Sequence, residues 1–191
     1  GPIEATKMPI RFAEIMVYDE QRNLIQCAQT DSSGNYSFRV PKSTRNLLVS
    51  VNSRGANSKV NASVLKDPNT FQFYSLLKNF VPSKNQSLGT LTASASANGD
   101  AGAFNIFEQI VKANEFLRTN TAGCTASLPE CRVFTVAPKV TAFWSLGLNP
   151  GSYFGSGSVS FYLPGRRQLF ILGGLNGDST CADTDHFDNS V

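Results

Sequence analysis

Three carboxylates near the end of the sequence are the residues best suited to bind a metal ion. Asp183, Asp185 and Asp188 lie within one six-residue stretch, and alternate loop positions can turn their side chains to one side. Oxygen donors of this kind suit a hard cation such as calcium. The stretch lacks the glycine and the final glutamate of an EF-hand loop, and a solvated acidic segment is the alternative. We treat the three as candidate calcium ligands, and we expect no other cofactor.

Neither of two common catalytic arrangements is complete in this sequence. His186 is the only histidine, whereas a zinc site needs further imidazoles or thiols. A catalytic serine would need a Gly-x-Ser-x-Gly turn between a strand and a helix, and no such turn accompanies it. The glycines at 173–177 lack the Gly-Lys-Ser/Thr ending of a phosphate loop. We therefore predict no catalytic residue and no enzyme activity for the chain as given.

Four cysteines predict at least one disulfide. Cys124 and Cys131 flank a short loop that Pro129 bends back, so we expect a bond between them. Cys27 falls in a predicted strand and Cys181 in a polar loop. These two either form a second, long-range disulfide, or Cys27 is a small buried hydrophobic residue. Because disulfides persist outside the cytoplasm, we predict an extracellular or cell-surface protein.

Charge and hydropathy argue against two classes of partner. Charged residues make up 16% of the chain, the net charge is +3, and the lysines and arginines are scattered, unlike a nucleic-acid-binding patch. No apolar run approaches the roughly 20 residues of a membrane-spanning helix. Sequons at Asn35, Asn61 and Asn85 would carry glycans only in a eukaryotic secretory pathway. We expect neither a nucleic-acid partner nor a membrane span.

The elements that must position these groups are mostly strands. Asp31 can bond the backbone of a turn, Gly34 can adopt a positive φ, and Tyr36, Phe38 and Val40 then alternate toward one face. Further short strands are predicted at 11–18, 47–51, 60–65, 71–77 and 88–93. Short strands at this spacing predict a β-sandwich domain over residues 1–97.

One amphipathic helix, at about residues 103–118, opens the second half. Its apolar residues recur at helical spacing, with Glu108, Lys112 and Glu115 on other faces and Asp100 as the N-cap. The predicted apolar face comprises Phe104, Phe107, Ile110, Val111 and Leu117. Strands are predicted at 133–136, 140–146, 158–163 and 168–172. Residues 98–191 are therefore predicted to form a smaller α+β unit with the helix on a sheet, and the fold class is mainly β.

Residues 9–51 resemble the carboxypeptidase-regulatory-like and collagen-adhesin B-type sandwiches, with Thr30-Asp-Ser-Ser-Gly-Asn-Tyr-Ser-Phe38 at the centre of the similarity. These are prealbumin-like, Ig-like modules that serve as spacers, stalks and adhesion units of secreted proteins. The resemblance implies a sandwich fold and says little about a ligand.

The order of features along the whole chain resembles the region before the catalytic helix of secreted bacterial zinc metallopeptidases. The shared features are the sandwich, the helix, and the segments 143–145, 151–153, 171–173 and 183–188. In that family the acidic segment leads into a helix that bears His-Glu-x-x-His. The sequence reaches Val191 without that motif, so the family's zinc ligands and general base match no residue here.

These observations favour a secreted, non-catalytic structural or interaction module, whose partners are copies of itself or the remainder of a larger precursor. A sharper form is a surface filament subunit in which an arm at residues 1–8 completes a neighbour's sheet. One alternative is the non-catalytic part of a zinc metallopeptidase whose catalytic helix lies beyond Val191. Another is a carbohydrate-binding adhesin that stacks sugars on exposed aromatic rings, namely Tyr153, Phe154, Phe161 and Tyr162.

Overall fold

The computed structural model of the protein describes residues 7–43, 45–94, 99–124, 130–155 and 159–173. Within these residues the chain forms two sheets, one long helix and one short helix, so the predicted mainly β class is confirmed. The elements in chain order are β1 (Glu14–Tyr18), β2 (Leu24–Gln29), β3 (Leu47–Asn52), β4 (Arg54–Ala56), β5 (Asn61–Leu65), β6 (Ser75–Phe80), α1 (Asp100–Thr121), β7 (Val140–Phe143), α2 (Gly151–Phe154), β8 (Phe161–Leu163) and β9 (Gln168–Phe170).

The first sheet is antiparallel and has the strand order β2-β1-β3-β6. Ile15 lies opposite Val51 and Val17 lies opposite Val49, and all four side chains are buried. Because successive side chains alternate between faces, the residues between them line the outer face of the sheet. The strands predicted at 11–18 and 47–51 are thus present, and their apolar alternation marks the buried face.

The second sheet is mixed and has the order β4-β5-β7-β9-β8. Its three central strands, β5, β7 and β9, are parallel, and the two edge strands are antiparallel to their neighbours. Ala62 of β5 lies opposite Val140 of β7, so strands from both sides of residue 97 pair in one sheet. Residue 97 therefore does not separate two sheets, and the division into domains 1–97 and 98–191 stays a prediction.

Helix α1 is present and extends beyond the predicted 103–118 at both ends. Asp100 is its first helical residue rather than its cap, because the cap position is taken by Gly99 in a left-handed conformation (φ 73°). The helix packs against β5 and buries Phe104, Phe107 and Val111. Leu117 was predicted to share this face but is 41% exposed.

The core lies between the two sheets and α1. Its main hydrophobic cluster takes side chains from both sheets and from the helix, including Ile15, Val64 and Phe107. Ala142 belongs to this cluster, whereas the next residue, Phe143, belongs to a smaller one with Leu65 and other side chains. Since neighbouring residues of a strand point to opposite faces, the five-stranded sheet is covered on both sides at β7.

Several predicted strands are absent or shorter. Residues 36–40, 88–93 and 133–136 form no strand, although Tyr36, Phe38 and Val40 pack partly buried against the core. The strand predicted at 71–77 begins only at Ser75, because Asp67 accepts backbone hydrogen bonds in a turn and Phe71 has a positive φ of 54°. The sandwich type, prealbumin-like or other, stays a prediction.

Candidate functional site on the outer face of the four-stranded sheet

The outer face of the four-stranded sheet carries a depression of about 490 Å³. Alternate residues of β1, β3 and β6 form its floor, because their neighbours in each strand point into the core. The lining residues are Glu14, Met16, Tyr18, Arg22, Leu48, Ser50, Asn52, Arg54, Phe73, Ser75 and Leu77. We call this set the outer face.

A hydrogen-bond network centred on Asn52 occupies the middle of the outer face. Asn52 Oδ1 accepts from Ser50 Oγ at 2.7 Å and from Ser75 Oγ at 2.8 Å. Asn52 Nδ2 donates to Glu14 Oε2 at 3.0 Å. Ser50 and Asn52 are buried, so these bonds satisfy polar groups that water does not reach.

Arg54 closes the network at one end. Its Nη2 lies 3.2 Å from Glu14 Oε1, and its guanidinium lies 5.1 Å from the centre of the Phe73 ring. The Glu14 carboxylate is therefore paired with a cation, and the arginine rests on an aromatic face. The centre of the outer face carries no net charge.

This arrangement suits binding rather than bond breaking. Both serine hydroxyls donate to an amide oxygen, which does not accept a proton as a general base would. Around the network lie apolar side chains, of which Leu77 is 56% exposed while Met16, Tyr18 and Leu48 are half-buried. Apolar side chains around satisfied polar groups are typical of protein interfaces.

No motif in the sequence singles out Glu14, Asn52 or Arg54. The alternation in β3 indicates only that Ser50 and Asn52 point to the face of the sheet opposite to Val49 and Val51. The network also needs β1 and β6 beside β3, and that pairing is not encoded in any local pattern.

The predicted calcium ligands Asp183, Asp185 and Asp188 lie outside the described residues, as do His186 and Cys181. Among the residues that the structure describes, no group of three or more His, Cys, Asp or Glu side chains could hold a metal ion. The calcium site stays a prediction.

The predicted disulfide between Cys124 and Cys131 is present, with 5.2 Å between the Cα atoms. It follows directly after the end of α1. Cys27 is exposed on β2, so the alternative that it is a buried hydrophobic residue is wrong. Its proposed pairing with Cys181 involves a residue outside the described ranges.

The four aromatic residues considered for sugar stacking divide into two kinds. Phe154 and Phe161 pack against Phe170, with ring centres 4.9 and 5.1 Å away. Tyr153 and Tyr162 are 38% and 47% exposed, and Phe154 is 44% exposed although it packs on Phe170. Phe161 is only partly exposed, so the rings do not form one exposed platform of four, and the adhesin hypothesis stays a prediction.

A second polar cluster joins the segment before β1 to α1. Arg11 donates to both Glu108 and Glu115 of the helix. Glu108 was predicted to lie off the apolar face, yet only 5% of it is exposed. No described group donates a hydrogen bond to Glu108 Oε2. The cluster is an internal link between elements rather than an open site.

No protein-family model, no curated protein and no solved structure matches this chain. The fold and the outer face thus define a mainly β protein with a mixed second sheet, and the two family resemblances stay predictions. In the described part of the chain, none of the helices combines the length and the apolar character needed to cross a membrane.

Proposed function

We propose that this chain is a secreted, non-catalytic interaction module that binds its partner on the outer face. One observation carries the proposal: the Asn52 network satisfies its own polar groups, while apolar side chains beside it stay accessible. Burying that face would remove apolar area from water while the polar groups of the Asn52 network keep their partners.

The Glu14–Arg54 pair supports the same conclusion. The two side chains are only 17% and 33% exposed, so they are already partly removed from water. A partner that covers a preformed ion pair meets a smaller desolvation cost than one that covers two separate charges. The partner is a copy of the chain or the remainder of a precursor, and the Cys124–Cys131 bond supports a location outside the cytoplasm.

The two methionines of the chain provide a matched test of the binding face. Met16 lines the outer face, whereas Met8 is 47% exposed and does not line it. In the native secreted material, peroxide should oxidise Met16 more slowly than in the isolated 191-residue chain diluted until it is monomeric, while Met8 is oxidised at the same rate in both. Equal rates for Met16 in the two samples would contradict the outer face as the binding surface.

A hydrolase panel tests the non-catalytic part of the proposal. The purified chain is incubated with peptide, ester, glycoside and phosphoester substrates, with and without added zinc or calcium. We expect no turnover above the buffer control. Turnover that follows the chain through purification would overturn the proposal.

The mixed sheet favours a second candidate function, the non-catalytic part of a zinc metallopeptidase. Strands β5, β7 and β9 are parallel, and ligands of sheets with parallel strands bind beyond the carboxyl ends of the strands. Residues 174–191, with their aspartates, follow the carboxyl end of β9 in the chain. A reading frame that continues past Val191 into His-Glu-x-x-His would support this function, and a stop codon there would contradict it.

A further inference from the structure

The free edge of the four-stranded sheet lies at β2. This strand pairs with β1 on one side, and no strand of the described residues pairs with its other side. Five of its six residues are exposed, with Leu24 at 51% and Ile25 at 37%. The unpaired backbone groups of such an edge can accept another strand.

Edge strands are commonly protected by charges, prolines or covering segments, and the described residues give β2 none of these. Its sequence, Leu-Ile-Gln-Cys-Ala-Gln, carries no charge and no proline. Its one side-chain to backbone bond joins Gln26 Nε2 to the carbonyl of Cys27 at 3.0 Å. At the opposite edge, Lys78 of β6 binds the carbonyl of Leu88, and Phe38 packs against Phe80. Described residues therefore contact the β6 edge, whereas they leave the β2 edge open.

Opposite charges flank β2. Arg22 precedes the strand and Asp31 follows it, and both are exposed. When two copies of such a segment pair antiparallel, Arg22 of each lies near Asp31 of the other. The edge thus has one pair of complementary side chains at each end and an uncharged centre.

We propose that two copies of this chain pair antiparallel through β2, about a two-fold axis that passes beside Cys27. The axis is perpendicular to the sheet, so the outer faces of both copies stay on the same side. In this pairing, residues that lie opposite each other must point to the same face of the sheet. Ile25 of one copy lies opposite Gln29 of the other, and both point to the same face. Asn23 lies opposite Asp31 of the other copy, and Arg22 lies diagonal to that Asp31.

The result is one eight-stranded sheet with a continuous outer face. This inference goes beyond the proposed function, because it places a second copy at the β2 edge and not on the outer face. It also gives each assembly two outer faces, so a further partner would bind bivalently.

Cys27 provides a geometric test, since the proposed axis brings the two Cys27 thiols together. In a Cys181→Ser background, a mild oxidant should convert the chain into a covalent dimer, which migrates as such without reductant. Replacing Cys27 with Ser should abolish the covalent dimer. A matched control carries Cys27→Ser with Lys112→Cys, which moves the thiol to an exposed position of α1, and should form no covalent dimer. A chain that forms no Cys27 cross-link, or a control that cross-links equally, would overturn the pairing.

Sedimentation velocity tests the pairing without the cysteine. In the Cys27→Ser, Cys181→Ser background, Ile25→Lys should raise the dimer dissociation constant by about tenfold, because both copies lose a cross-strand contact. Val133→Lys, at a 59% exposed β-branched residue outside the sheet, should leave it unchanged. A monomer at millimolar concentration, or an Ile25→Lys dimer as tight as the parent, refutes the pairing. Neither result changes the outcome expected in the hydrolase and methionine tests, so the proposed function is tested separately.

Discussion

Arg11 and Glu108 are 97 residues apart in the chain, and Arg11 Nε donates to Glu108 Oε1 at 2.8 Å. Their side chains are 16% and 6% exposed, which makes them the most buried ion pair of the described residues. The hydrogen bond to Glu108 is the largest influence raising the pKa of Arg11. Because Arg11 also binds Glu115, one side chain holds the segment before β1 against α1.

Replacing Arg11 with Met should therefore destabilise the fold strongly. Glu108 would keep a buried carboxylate whose Oε2 already lacks a described donor, and the loss should be about 3 kcal/mol of unfolding free energy. Urea unfolding measures it. Glu115→Gln is the control, because that side chain is 39% exposed and its loss should cost under about 1 kcal/mol.

The double variant Arg11→Met with Glu108→Leu separates burial from pairing. It removes both charges together, so it should recover most of the stability that the single variant loses. An Arg11→Met chain as stable as Glu115→Gln would show that the pair does not hold the helix in place.

The Asn52 network of the outer face should also contribute to stability. Asn52→Ala leaves Ser50 and Ser75 without their acceptor and Glu14 Oε2 without its donor, and should cost about 2 kcal/mol. Asn79→Ala is the matched control, since Asn79 is exposed on β6 and its loss should stay within about 0.5 kcal/mol. Equal losses in the two variants would mean that the network is not a structural unit.

The alternation of apolar residues in the sequence predicted which side chains are buried better than it predicted which segments pair as strands. Ile15, Val17, Val49 and Val51 alternate, are buried, and lie in paired strands. Tyr36 and Phe38 alternate in the same way and pack against the core, yet their segment forms no strand. A side chain can be buried by any neighbour, whereas a strand needs a backbone partner, and the sequence does not name that partner.

Long-range polar partners account for the other differences. The segment predicted as a strand at 133–136 instead bonds to the helix: Thr121 Oγ1 accepts from Phe134 N, and Asn114 Oδ1 accepts from Ala137 N. Glu108 is buried, and its charge is paired with Arg11 from 97 positions away in the chain. The outer face likewise depends on three strands meeting. Helical periodicity and alternation describe one element at a time, so none of these contacts could be predicted from them.

Two glycines with positive φ separate backbone strain from steric overlap. Gly99 has φ 73°, and an added Cβ would lie 2.9 Å from Cζ3 of Trp144. Gly155 has φ 66°, and an added Cβ would meet nothing within 4 Å. Gly155→Ala should cost about 1 kcal/mol through backbone strain alone. Gly99→Ala should cost about 3 kcal/mol, because the Trp144 ring must also move. Thermal unfolding of both variants checks this, and equal losses would contradict the close approach of Trp144.

The Cys124–Cys131 bond should stabilise the region after α1. The half-cystines are separated by 7 positions, and closing so short a loop is worth about 2.5 kcal/mol in the chain-entropy treatment. The double variant Cys124→Ser with Cys131→Ser should lose that amount in urea unfolding. Cys27→Ser is the control, since this exposed thiol is not in the bond. A double variant as stable as the control would mean that the loop is not constrained by the bond.

Tyr74 should make the fold sensitive to alkaline pH. Only 2% of the residue is exposed, and its Oη donates to the carbonyl of Trp144 at 2.9 Å. Burial, and secondarily the charges of Asp100 and Asp67, raise the pKa of Tyr74 well above its ordinary 10.0. Above pH 10.0 the unfolded chain loses this proton while the folded chain keeps it, so the free energy of unfolding falls as pH rises.

The variant Tyr74→Phe cannot ionise, and its stability should fall less steeply above pH 10.0 than that of the parent chain. At neutral pH it should lose about 1 kcal/mol, because the Trp144 carbonyl loses a donor. Tyr162→Phe, at a 47% exposed residue, removes a hydroxyl without removing a buried contact and controls for that change. Urea unfolding across the alkaline range measures both slopes. If Tyr74→Phe and the parent chain lose stability at the same rate with pH, then Tyr74 is ionising as easily in the folded protein as in the unfolded chain, and its burial against Trp144 is not what limits the alkaline stability of the core.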